Sequence, residues 1–141
     1  MGKPFKSQIR LNTFKMMYIL ELSENTPDEI AKNYWLSTDL ENKRIKRLTS
    51  EFFLNVAKNK DFIDNIYKGK LKESWTFDRI GSIEKSILRV ALYELLNGKT
   101  PFYAILSDYN SIATEYGDEK IASFIHGILI AVKNEYGTDR K

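Results

Sequence analysis

His126 is the only histidine in the 141-residue chain, and there is no cysteine. Disulfides, thiolate catalysis and thiolate zinc sites are therefore excluded. His126 sits in an apolar run, Ile125-His126-Gly127-Ile128, without HExxH or Glu-x-x-His spacing. A packed or partly exposed imidazole explains it better than metal ligation. Neither GxxxxGK[ST] nor GxGxxG is present, so the usual phosphate-cradling loops are missing. Asp61 with Asp64, and Asp118 with Glu119, lie beside expected helix starts, where carboxylates complement the helix dipole. The expectation is no catalytic residue, no metal and no cofactor, hence a protein that is not an enzyme.

Cations are the chemistry that remains. The first twenty residues hold Lys3, Lys6, Arg10 and Lys15 and no acid. Lys and Arg neutralise phosphates, and aromatic rings stack on unpaired bases. Phe5 and Tyr18 supply rings beside these charges. A second run, Lys43, Arg44, Lys46 and Arg47, is interspersed with Glu41 and Glu51 and reads as a solvated helix face. Net charge is only +3, so the placement of these groups matters more than their sum.

The elements that must position them are helical. Apolar residues make up 43% and aromatics 13% of the chain, enough for a real core in one domain. Apolar spacing follows the helical period. It predicts a first helix over 7–23 with Ile9, Phe14, Met17, Tyr18 and Leu22 inward. Thr26-Pro27-Asp28-Glu29 reads as a capping box opening a short helix to about Trp35. Ser37-Thr38-Asp39 offers a cap for a long helix ending near Asn59, followed by a short helix over 60–69. Residues 70–81 read as a connector anchored by Trp75, Phe77 and Ile80, with a seam near 69–74 inside the single domain 1–141. Ser82 is the expected cap of a helix to Leu96, with Ile83, Ile87, Val90, Ala91 and Leu95 as its stripe. Helices over 102–116 and from Gly117-Asp118 onward complete an all-α fold of about seven helices. Short connections imply antiparallel neighbours in a compact bundle. No stretch approaches the roughly 18 apolar residues of a membrane span. No apolar segment follows the basic start as in a signal peptide. The expected location is cytoplasmic.

Trp75-x-x-x-Arg79-Ile80-x-x-Ile83-Glu84-Lys85-Ser86-Ile87-Leu88-Arg89-Val90-Ala91-Leu92-Tyr93-Glu94-Leu95 resembles the central block of the NusB family. Tyr116-Gly117-Asp118-Glu119-Lys120 through Leu129 is similar to a later block, and Pro101 opens the helix between them. Arg10, Tyr18, Leu22 and Ser23 fit the family's first helix. Lys6, Ser7 and Gln8 replace its usual run of arginines, and Phe124-Ile125-His126-Gly127 replaces Phe-Val-Asn-Gly. The chain resembles a divergent member, whose thinned arginines leave open an RNA contact that is weaker or shifted toward Lys43–Arg47.

The resemblance implies two packed three-helix bundles and a role in transcription antitermination, notably on ribosomal RNA operons. It implies binding of single-stranded boxA-like RNA together with a NusE-type small-subunit ribosomal protein. Other Nus factors and RNA polymerase would follow indirectly. Residue by residue, it implies RNA contacts at Lys6, Arg10, Arg89 and Phe124, beside the basic Lys3, and a partner contact at Glu84. Arg89 lies two residues from both Ile87 and Ala91, so its guanidinium is expected to turn outward. The spacing of Phe124 to Ile121 and Ile128 equally fits the core. A protein-binding adaptor with little RNA affinity is the alternative role, and a homodimer is a further one that the family likeness allows.

Overall fold

The computed structural model describes residues 3–71 and 77–136. Trp75, residues 72–74 of the expected seam and the last five residues lie outside the described residues. The described residues form seven α-helices and no strand: α1 (Phe5–Leu22), α2 (Pro27–Asn33), α3 (Lys43–Lys58), α4 (Lys60–Lys68), α5 (Ser82–Asn97), α6 (Phe102–Tyr116) and α7 (Glu119–Tyr136). Short 3-10 turns cover Tyr34–Ser37 and Phe77–Arg79.

Local chemistry sets the helix starts. Thr26 Oγ1 accepts the Glu29 N–H at 3.2 Å, and Glu29 Oε1 accepts the Thr26 N–H at 2.9 Å, which completes the expected capping box. The start of α3 differs from expectation. Thr38 turns its hydroxyl back to the Trp35 carbonyl. Asn42 caps α3 instead, accepting the Ile45 N–H at 3.0 Å. Short polar side chains compete for nearby backbone groups, and here the 3-10 turn took Thr38. The cap of α5 is Gly81, not Ser82. Glu84 reaches back to accept the Gly81 N–H at 3.3 Å.

α1–α3 form one three-helix group and α5–α7 another, with α4 touching both. α5 lies at the centre, packed by α1, α3, α4, α6 and α7. Every residue from Ser86 to Leu92 is buried, as expected of a helix enclosed on all sides. One continuous core joins the groups, running through Phe14 and Met17 of α1, Phe53 of α3, Leu88 and Leu92 of α5, Tyr109 of α6 and Leu129 of α7. Leu22, expected inward, is 60% exposed at the last residue of α1. The inward face of α1 is instead Arg10, Thr13, Phe14, Met16 and Met17.

Candidate nucleic-acid interface

Lys3, just before α1, and Lys6, in its first turn, are exposed. The Gln8 side chain donates to the Lys3 carbonyl at 2.8 Å and fastens the entry to the helix. Lys6 borders a hollow of about 180 Å³ floored by Ile9, Phe52, Glu94 and Thr100. Lys3 borders another of about 230 Å³, which Asp108 and Glu115 also line. Tyr18 lines a larger aromatic hollow of about 380 Å³ with Phe14, Tyr34, Ile83 and Tyr116, and Lys15 lies over the Tyr116 ring at 5.7 Å. Tyr34, half-buried there, has its phenol pushed up to about 12 by burial.

Arg10 does not join the exposed cations. It is only 7% exposed. Its Nε and Nη2 donate to the Glu94 carboxylate at 2.7–3.1 Å, and its Nη1 donates to Asp108 at 2.6 Å. Glu94 also accepts from Thr100 at 2.7 Å and Tyr109 at 2.6 Å, and Ser7 donates to Asp108 at 2.8 Å. The cluster ties α1 to α5, to the α5–α6 connection and to α6. Burial opposes the charge on Arg10, but the bonds to Glu94 and Asp108 outweigh it and hold its pKa above the ordinary value. Burial likewise raises the Glu94 carboxyl, while Arg10, Tyr109 and Thr100 together bring it below the usual carboxylate range.

Arg89 corrects the sequence expectation most sharply. It is 3% exposed. Nε and Nη2 form a two-pronged pair with Asp64 at 2.9 and 2.8 Å, and Nη1 donates to Glu21 at 2.7 Å. Lys85 approaches the other Glu21 oxygen at 3.9 Å. An offset from the apolar stripe does not point to solvent on a helix with no solvent face at that level. Asp64, read as a dipole partner at a helix start, is buried and neutralises Arg89. The buried acids were the missed groups. Their signal was an acid set in an apolar run: Glu94 between Tyr93 and Leu95, and Asp64 after Ile63.

Phe124 is half-buried and packs against the core from α7. Glu84 is half-buried at the start of α5, engaged with the Gly81 N–H. His126 is exposed. No group of residues among those described could hold a metal ion, and no described helix is long and apolar enough to cross a membrane.

The two basic runs meet. The Arg44 guanidinium lies over the Phe5 ring, with Cζ 4.9 Å from its centre. This joins the start of α1 to the start of α3, where Lys43, Arg44 and Arg47 are exposed.

The profile of the NusB family matches residues 7–134. The chain is 30% identical over 141 residues to the transcription antitermination protein NusB of Fusobacterium nucleatum, covering 93% of this chain and 92% of that one. It is 27% identical to the protein of the same name from Aquifex aeolicus, covering 97% and 93%. Among solved structures it is similar to the antitermination factors NusB and NusE in complex with dsRNA, with a TM-score of 0.84, 25% identity, and coverage of 94% of this chain and 98% of that chain. The solution structure of NusB from Aquifex aeolicus matches with a TM-score of 0.81 at 26% identity, covering 95% and 90%. The sequence blocks, the seven-helix arrangement and these matches agree, and the chain belongs to the NusB family.

Proposed function

We propose that this chain is a non-enzymatic, cytoplasmic transcription antitermination factor that binds single-stranded boxA-like RNA together with a NusE-type ribosomal protein. In this reading Lys3 and Lys6 contact phosphate, and the buried Arg10 cluster holds the helix that presents them. Arg10 and Arg89 act as internal clamps. Phe124 and Glu84 are the groups assigned to a base and to the protein partner. Other Nus factors and RNA polymerase are engaged through the assembled complex.

The carrying observation is the pair of exposed cations leading into a helix that the Arg10–Glu94–Asp108 network locks in place. A relative of the same fold is described in complex with NusE and dsRNA, which supports the partner classes. The test is fluorescence anisotropy of a labelled boxA-like oligoribonucleotide across a salt series, with and without the NusE-type protein. Lys3→Gln with Lys6→Gln is expected to weaken binding and flatten the log–log salt slope by about 1.4, at roughly 0.7 per phosphate on a single strand. Unchanged binding across salt would overturn the assignment.

One observation favours the adaptor reading. Both arginines that the resemblance ties to RNA are occupied internally. Tight binding of the NusE-type protein with no gain in RNA affinity would select it.

A further inference from the structure

Lys43, Arg44, Lys46 and Arg47 crowd the first five residues of α3, and no acid occupies its first turn. Cations at a helix start oppose the helix dipole, so helix stability does not explain them. Only Arg47 gains an ion pair within α3, an exposed one with Glu51 at 3.4 Å. Asp39 and Glu41 precede the helix and are exposed. One exposed ion pair and the Arg44 stack on Phe5 are the contacts set against this locally unfavourable arrangement, and so much charge on an exposed helix start points to a use outside the fold.

Placement supplies that use. Ile45, Thr49, Phe53 and Val56 face the core. Lys43, Arg44 and Arg47 lie on the solvent side, and Arg47, four residues from Lys43 and three from Arg44, is a neighbour of both. The Arg44 stack on Phe5 brings this face against the segment that carries Lys3 and Lys6. One side of the Phe5 ring is thereby covered by a guanidinium, which adds charge where an isolated ring would offer a stacking platform.

We propose that Lys43, Arg44 and Arg47 extend the cationic track of α1, so that the phosphates of single-stranded RNA flanking the boxA-like core are held along α3. The proposal rests on the RNA-binding reading above and adds length to it. These contacts go to the backbone, so they act equally on any flanking sequence.

The test uses the full chain with its NusE-type partner and two labelled oligoribonucleotides, the boxA-like core alone and the same core flanked by uridines. The wild-type complex is expected to bind the flanked RNA more tightly and with a steeper salt dependence. Lys43→Gln with Arg44→Gln should abolish that difference and lower the flanked-RNA slope by about 1.4, while core binding stays unchanged. Lys58→Gln with Lys120→Gln removes the same charge elsewhere, Lys58 being about 22 Å along α3 from Lys43 at 1.5 Å per residue. That control should keep the wild-type slope. Equal binding of both RNAs by the wild type, a wild-type slope in the Lys43/Arg44 variant, or an equal drop in the control would each overturn the extended track. A wild-type complex that binds neither RNA would overturn the RNA reading itself. Circular dichroism identical to wild type certifies that the exposed substitutions leave the helices intact.

Discussion

Arg89 donates two parallel hydrogen bonds to the Asp64 carboxylate, with both side chains out of water. Such a pair contributes little compared with an apolar replacement, yet removing one partner strands a buried charge. Arg89→Ala is therefore expected to destabilise the fold by about 3–5 kcal/mol, read from urea denaturation, with the RNA salt slope of the folded fraction unchanged. A loss of slope at unaltered stability would return Arg89 to the phosphate surface. Charged residue types were legible in the sequence, but their partners were not. Arg10 and Glu94 are 84 positions apart, and Arg89 and Glu21 are 68. No local spacing encodes such pairs. Lys3 and Lys6 lacked a matching acid close in sequence and are exposed, Lys3 just before α1 and Lys6 in its first turn.

Helices were legible wherever a complete start signal stood in the chain. Thr26 to Glu29 contained both halves of a capping box, and both bonds formed. The start of α3 was ambiguous because several Ser, Thr, Asp and Asn residues precede it, and with Thr38 bonded to the Trp35 carbonyl the cap fell to Asn42. The end of α6 depends on close approach. A Cβ on Gly117 would lie 2.9 Å from the Ala113 carbonyl oxygen and 2.8 Å from Ile121 Cδ1. The Gly117 N–H is bonded to that same carbonyl at 2.9 Å, so the backbone has little room to yield. Gly117→Ala is expected to cost about 1–3 kcal/mol, the range for forcing atoms into a packed site. Differential scanning calorimetry measures it, and an unchanged melting temperature would show that the α6–α7 corner relaxes freely.

Over the whole molecule, the two three-helix groups share a core instead of meeting across a solvated gap. Helix count and class could be read from apolar periodicity, because that period is a property of each segment. The centrality of α5 could not, since a stripe names the inward side of a helix without saying that its other sides are covered too. Leu88 and Leu92, outside the predicted stripe, are fully buried. The ion pairs fasten α1 to α5 at both ends, through Glu94 near the α6 connection and through Glu21 and Arg89 near α4.

The sheath around α5 also governs how its peptide groups meet deuterium. Where α5 is enclosed, over 86–92, the amides have no shallow opening by which solvent can reach them, so their exposure is expected to need disassembly of the whole bundle. In heavy water, amides of 86–92 should exchange last, at a rate that tracks global unfolding and rises with added urea. Early labelling of that stretch would mean that the middle of the molecule breathes while its periphery stays closed.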